Sequence, residues 1–373
     1  RLVDAAEPGT LIAHLGGDQF ALALPKADRE SIERRVERIT ACFSKPVAVE
    51  GLSLHLGATL GAALAPDHSD SAEALLRHAE SAMYRGKARR DGGLTLYDPA
   101  SDHHSRQRLA LMGELRGAVE RGELQLYVQP KVHLGRGEVV GVECLVRWRH
   151  PVLGMIAPDR FIPLAEQTGQ IRQLTAWVID TATRHMRETA DRGLSIRWAV
   201  NVSALDLLAP DFAAGVAQAM SAAGLPTGQL VVEVTESAAM TDPELAIRQL
   251  GELRRAGIKL SIDDYGTGHA SMAQLKRLPV DELKIDRAFV RNLVSDAKDE
   301  AIVSSTITLA HQLGLSVVAE GVEDAATAAR LAALGCDEIQ GYGVARPMPV
   351  GELADWLARN RSAVRTFVGG PAA

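Results

Sequence analysis

The stretch ELKIDRAFVRNLVSDAKDEAIVSSTITLAHQLGLSVVAEG, residues 282–321, decides the fold. Its two ends, ELKID and SVVAEG, are short apolar runs that close on acids. Between them, DEAIVSSTITLAHQLG carries apolar residues at helical spacing. A strand, a helix and a strand in that order pair in parallel. The same rhythm extends outward. Further runs are LQLYVQ (124–129), VVGVECLVRW (139–148), IRWAVNVS (196–203), LVVEVTES (230–237), IKLSIDD (258–264) and EIQGY (338–342). Helical patterns such as the one over 161–193 separate most of them. Only a short turn joins the first two runs, so these are expected to pair antiparallel. Eight strands between 124 and 363 predict an α/β fold, a (β/α)8-type barrel with one antiparallel strand.

The region upstream reads as a smaller α+β unit. LIAHLGGDQFALAL (11–24) has the form of a hairpin, ESIERRVERITACF (30–43) of a helix, LSLHLGATLGAAL (52–64) of a strand, and SAEALLRHAESAMYRGKARR (71–90) of a helix starting near Ser71. A Gly-, Pro- and Asp-rich break, DGGLTLYDPASDHH, follows at 91–104, and SRQRLALMGELRGAVERGE (105–123) reads as a connecting helix. The expected organisation is a first domain over 1–98, a connection over 99–123, the barrel over 124–363 and a tail over 364–373.

Bulk composition narrows the function class. With a net charge of −6, the chain is no general binder of DNA, RNA or membrane surfaces. The three cysteines, Cys42, Cys144 and Cys336, are far apart and form no C-x-x-C pair, which argues against a disulfide framework or a cysteine zinc site. No apolar run approaches the roughly 18 residues of a membrane span. A cytoplasmic setting is expected. The first residue is Arg1 and not Met, so the chain reads as the C-terminal part of something longer, with an upstream membrane or sensor segment left open.

In such barrels, chemistry sits where the strands end, because the loops there surround one opening. The strand exits carry Gln129, Glu143 with Arg147, Asn201, Glu233 with Glu236, Asp263 with Asp264, Lys284 with Asp286, Glu320 with Glu323, and Gln340. One polar strand end is ordinarily just solvated. A ring of them is different. Two carboxylates ~4 Å apart repel by about 4 kcal/mol at an effective dielectric of 20, so a cluster of three or four calls for a cation. An all-oxygen donor set without Cys or His favours Mg²⁺ or Mn²⁺ over zinc. Two adjacent aspartates suit two ions, a common device in phosphoester hydrolysis. Lys284 has three readings: a Schiff-base lysine, a structural ion-pair partner, or a group that orients a water or a phosphate oxygen. The crowd of acids favours the last, since it keeps the amine charged. GTGHAS (266–271) lacks the spacing of a nucleotide-binding glycine loop, and SDHHSR (101–106) reads as a solvated linker.

The motifs YVQP, ECLVRW, FIPLAEQTG, VNVS, EVTES, DDYGTG, LKIDRAFV, VVAEGVE and QGYGVARPMP, in that order over about 107–363, resemble the EAL-domain cyclic-di-GMP phosphodiesterases. The resemblance implies hydrolysis of cyclic di-GMP to linear pGpG with two Mg²⁺ or Mn²⁺ ions per site. It implies Glu143, Asn201, Glu233 and Asp263 as ligands of one ion, and Asp263 and Asp264 as ligands of the second. Lys284 would lie near the attacking water, and Glu320 would be a metal-shell residue or base. Gln129, Leu145 and Arg147 would contact substrate, Gln340 would support the site on the substrate side, and Glu236 would brace the loop after Asp264. Cys144 stands where the signature has Ala, and Tyr265 where Phe is usual; neither removes a ligand. Family resemblance also implies a homodimer. A catalytically silent cyclic-di-GMP receptor is the alternative function, disfavoured because no ligand position is lost.

The N-terminal region resembles the second half of a GGDEF diguanylate cyclase domain, through LGGDQF (15–20) and SAMYRGKARRDG (81–92). Gln19 stands where the cyclase signature has an acid, and EPGT (7–10) stands where the inhibitory R-x-x-D would be. A degenerate, partial domain without cyclase activity is expected, with GTP binding as its regulatory role.

Overall fold

The computed structural model describes residues 2–16, 19–43, 47–49, 52–54, 57–89, 93–99, 110–266 and 272–369. The chain divides into two compact units, Arg1–Leu111 and Met112–Ala373.

In the first unit, Leu11–Gly16 and Gln19–Ala23 form the expected antiparallel hairpin. The helix Arg29–Ala41 begins with a capping box, Asp28 accepting from the Ser31 amide while the Ser31 hydroxyl accepts from the Asp28 amide. The run 52–64 is not one strand. Leu52–Leu54 pairs antiparallel with Val47–Val49, while Leu60–Ala62 pairs in parallel with Leu94–Leu96. That last strand lies inside the stretch read as a break. Its three residues, between Gly93 and Tyr97, are too few for periodicity to reveal. The helix Ala72–Arg89 packs over this parallel pair: a Cβ on Gly61 would meet Ala79 O at 2.1 Å, so only glycine allows the helix backbone so close. Gly17 and Asp18 of LGGDQF, the side chain of Gln19, and the SDHHSR segment lie outside the described residues.

The second unit is the expected barrel. Its strands are β1 (Leu124–His133), β2 (Glu138–His150), β3 (Arg197–Val202), β4 (Leu230–Thr235), β5 (Lys259–Tyr265), β6 (Glu282–Ile285), β7 (Ser316–Ala319) and β8 (Glu338–Gln340). Strands β2 to β8 pair in parallel in sequence order. Strand β1 runs antiparallel to both β2 and β8 and closes the ring. Helices including Ile171–Asp191, Pro243–Arg255 and Ala297–Gln312 connect the parallel strands. Their apolar faces bury against outward-facing strand residues such as Val200, Val232, Leu260, Leu283 and Val317. Each such fully buried side chain contributes about 1.5–3 kcal/mol.

Because strand side chains alternate, the residues at every second position face the barrel axis. Here those inward positions are not apolar layers. Gln129, Lys131, Glu143, Glu233, Ser261, Asp263, Glu282, Lys284, Glu338 and Gln340 are all buried. The hydrophobic core lies between barrel and helices, and inside the barrel these polar groups share the inward face with Ala199, Val231 and Val318. Among the described residues, no helix is long and apolar enough to cross a membrane.

Candidate active site

Lys284 is the centre of the site. It projects from β6 with no solvent exposure. Its Nζ lies 2.6 Å from Glu320 Oε1, 3.0 Å from Asp263 Oδ2, 3.1 Å from Glu233 Oε2 and 3.9 Å from Glu143 Oε2. Four strands thus aim acids at one ammonium group. Burial works against the charged amine, but these carboxylates outweigh it and hold Lys284 well above the usual lysine range. Of the three readings of Lys284, imine chemistry is the one this setting disfavours.

Two sets of acids converge closely enough to share an ion: Glu143, Glu233 and Asp263, and then Asp263, Asp264 and Glu320, each with ligand oxygens within 4.8 Å of one another. Asn201 is exposed at the end of β3 and donates from Nδ2 to Glu143 Oε1 at 2.8 Å. The carboxylates and the Asn201 carboxamide oxygen make an all-oxygen donor set, which fits hard divalent cations. The charge balance gives the same answer. Burial pushes Glu143 up, and pushes Glu320 to about 8 against the pull of Lys284. Burial, Asp263 and Asp286 raise Asp264 to about 6. Protein cations alone do not neutralise this cluster, and a divalent ion between the carboxylates would. Glu233 is the exception: burial would raise it, but Lys131 and Lys284 together pull it down to about 2.

The two adjacent aspartates reach the same side by a backbone device. Asp264 has φ +54° and Gly266 has φ +98°. The left-handed turn at Asp264 breaks the strand alternation just where the ladder to β6 shifts register, between Ile262 and Tyr265. Glu236, at the start of the helix after β4, accepts the Gly266 amide on Oε2 at 3.0 Å, tying the loop to β4. The remainder of that loop, 267–271, lies outside the described residues.

On the other flank, the amides form a relay. Gln340 Nε2 donates to Glu143 Oε2 at 2.6 Å and to Gln129 Oε1 at 3.0 Å, and Gln129 Nε2 donates to Ala345 O at 2.9 Å. Gln340 therefore holds a metal-ligand candidate directly. Leu145 and Arg147 follow Glu143 on the same face of β2, both half-buried. The Arg147 guanidinium lies over the Tyr127 ring, 5.5 Å from its centroid. Cys144 points the other way and packs in the core. Asp286 caps the helix Arg287–Val290, and Glu323 is exposed.

A second layer of charged side chains, outside the sequence motifs, lies beneath the first. Lys131 Nζ lies 2.5 Å from Glu233 Oε1 and 3.5 Å from Glu282 Oε1. Glu282 Oε2 is 3.4 Å from Arg197 Nη1, and Arg197 also pairs with Glu338. Lys131, Glu282 and Glu338 lie two positions from Gln129, Lys284 and Gln340, so the period-2 rule places them on the same inward face one level deeper.

The family model of the EAL domain matches residues 112–347, and that of the diguanylate cyclase GGDEF domain matches residues 1–92. The chain is 40% identical over 344 residues to the bifunctional diguanylate cyclase/cyclic di-GMP phosphodiesterase MucR of Pseudomonas aeruginosa, covering 92% of this chain and 50% of MucR. It is 33% identical to the cyclic di-GMP phosphodiesterase PdeR of Escherichia coli, over 96% of this chain and 54% of PdeR. The chain thus spans about half the length of these curated relatives. Among solved structures, the PaMucR phosphodiesterase in complex with c-di-GMP is 45% identical with a TM-score of 0.63, covering 65% of this chain and 99% of that one. The EAL enzyme Bd1971, in its cAMP- and cyclic-di-GMP-bound form, is 28% identical with a TM-score of 0.66, covering 78% of this chain and 77% of that one.

Proposed function

This chain belongs to the EAL domain family, and on that premise we propose that it is a metal-dependent phosphodiesterase that hydrolyses cyclic di-GMP to linear pGpG. The observation that carries the reading is the pair of carboxylate trios that share Asp263 beside a fully buried Lys284. The relatives named for this activity, and the relative bound to the cyclic dinucleotide, support the substrate.

Glu143, Asn201, Glu233 and Asp263 would hold one Mg²⁺ or Mn²⁺ ion, and Asp263, Asp264 and Glu320 a second. When bound, such ions supply Lewis acidity and positive charge for in-line attack by water on phosphorus. The chain's own residues do the rest. Arg147, already oriented over Tyr127, binds a phosphate oxygen. Gln129 and Leu145 contact the substrate beside it. Lys284 holds the acids in register and directs the water or a phosphate oxygen. Glu320, held 2.6 Å from Lys284 Nζ beside Asp263, accepts the proton of the attacking water. Glu236 holds the turn that presents Asp264. The full acid set favours hydrolysis over a silent receptor. We extend the reading to a homodimer and to GTP as a regulatory ligand of the N-terminal unit.

The test is incubation of the purified chain with cyclic di-GMP and Mg²⁺ or Mn²⁺, with Glu143→Ala as control. Linear pGpG from the wild type alone is the expected result. No product from a folded wild type overturns the reading.

A further inference from the structure

We propose that Lys131 is a positioning residue for the metal site: it grips one oxygen of Glu233 from below and leaves the other to face the ions. This deepens the functional reading above and rests on it.

Glu233 has two carboxylate oxygens, and two lysines divide them. Lys131 Nζ takes Oε1 at 2.5 Å, and Lys284 Nζ takes Oε2 at 3.1 Å. Lys131 lies deeper in the barrel, because β1 descends from Gln129, opposite Glu143, to Lys131, opposite Gly141. Lys284 lies on the side of Asp263 and Glu320. The carboxylate plane of Glu233 is therefore pinned from two ends, and only the Oε2 side is open to the other acids.

Lys131 is itself held in place. Its side chain is 4% exposed, so its charge has no water to fall back on. Glu282 offers a second carboxylate at 3.5 Å, Arg197 answers Glu282 at 3.4 Å, and Glu338 pairs with Arg197. Read along the barrel axis, the charges alternate: Lys284, Glu233, Lys131, Glu282, Arg197, Glu338. The ladder reaches solvent at Arg197, whose side chain is 32% exposed and which also pairs with the buried Glu338. Each member fixes the next, and Arg197 anchors the run. A neutral residue at 131 would leave Glu233 Oε1 bare in a dry core. The carboxylate would then turn to share both oxygens with Lys284 and lose the orientation that suits an ion. Outer partners of ligating carboxylates commonly set metal affinity in this way.

The experiment uses the full chain and Mn²⁺ alone as probe, with free Mn²⁺ counted by electron paramagnetic resonance. Lys131→Met is expected to raise the Mn²⁺ dissociation constant by about 10- to 100-fold and to lower kcat at limiting Mn²⁺. Its KM for cyclic di-GMP is expected to stay near the wild-type value. Lys131→Arg, which restores the cation, is expected to recover most of the Mn²⁺ affinity. Because Lys131→Met strips Glu282 of a partner, the double variant Lys131→Met/Glu282→Gln removes both charges and preserves folding; it too should bind Mn²⁺ weakly. Wild-type Mn²⁺ affinity in the folded double variant, or no recovery with Arg, overturns the proposal. If wild type binds Mn²⁺ but makes no pGpG, the phosphodiesterase reading alone fails. If wild type binds no Mn²⁺, both fail.

Discussion

The backbone amide of Asp264 donates to Oδ1 of Asp263 over 2.8 Å, while Asp264 itself sits at φ +54°. The hydrogen bond and the left-handed turn are one device: they present two consecutive carboxylates to the same space. A left-handed backbone costs most side chains ~1–2 kcal/mol, and Asn and Asp bear it better than others. Asp264→Asn should keep the fold while losing hydrolysis by on the order of a hundredfold or more. Asp264→Ala should lose both activity and about 1 kcal/mol of stability. Steady-state kinetics with urea denaturation of the two variants separates charge from conformation; equal stability of Ala and Asn would contradict the account.

Adding metal should stabilise the protein. Lys284 and Lys131 leave the five carboxylates of the two trios with an excess of negative charge. At a hundred times its dissociation constant, a bound ion stabilises the folded chain by about 2.7 kcal/mol. Thermal scans with Mn²⁺ should therefore show a Tm above that in EDTA, and EDTA should abolish hydrolysis. Glu143→Ala/Asp263→Ala should abolish the Tm increment.

Lys284→Met should be among the most damaging single changes. It leaves Glu233, Asp263 and Glu320 without their shared ammonium partner. Breaking a buried pair from one side typically costs about 3–5 kcal/mol. Denaturant melts in EDTA should show a loss of that order, with activity lost alongside.

Glu236→Ala should act on rate more than on stability. Its Oε2 holds the Gly266 amide, two residues past Asp264. Without it, the turn loosens and kcat should fall by roughly tenfold or more. Glu236→Gln keeps an acceptor and should retain more activity than Ala. Kinetics of the two variants at saturating metal measure this.

Asp206 gives a pH test away from the metal site. Burial raises its pKa even though it accepts the Ser203 amide and the Thr175 hydroxyl. The folded state therefore binds its proton more tightly than the unfolded chain, where Asp titrates near about 3.9. That stabilisation is complete below the unfolded value and is lost as pH rises through the folded one. Asp206→Asn, which lacks the titration, should gain on the wild type as pH is raised from about 4 to about 7. Tm differences that stay flat over this range would refute it.

Much of the barrel was legible because its signal is repetitive. Each parallel strand exits on an acid or amide, and helical patterns separate most of them, so motif order pointed to the ring of Glu143, Asn201, Glu233, Asp263 and Lys284. What escaped was depth. Lys131 sits one residue past YVQP, and Glu282 and Glu338 open their strands, where charge is ordinarily read as solvated. Only closure of the ring shows that their faces have no water to meet. The strand Leu94–Leu96 escaped for another reason: its partner Leu60–Ala62 lies more than thirty residues earlier, and long-range pairing leaves no local pattern. The left-handed turn at Asp264 was half-visible, since two adjacent aspartates could converge only if the strand ended there. Which of the two bends was a question of backbone angle, and the letters are silent on that.

The same turn narrows what position 264 can become. A left-handed site is comfortable for Gly, Asn and Asp, and of these only Asp brings a charge. A single-step drift to Asn or Gly would cost the fold little while removing one of the clustered carboxylates. At Lys284 or Glu233, buried and multiply paired, no such cheap exit exists. The barrel is thus built so that catalysis can be switched off at its rim while the pocket behind it stays intact, and a lineage could turn this enzyme into a sensor through residue 264 first.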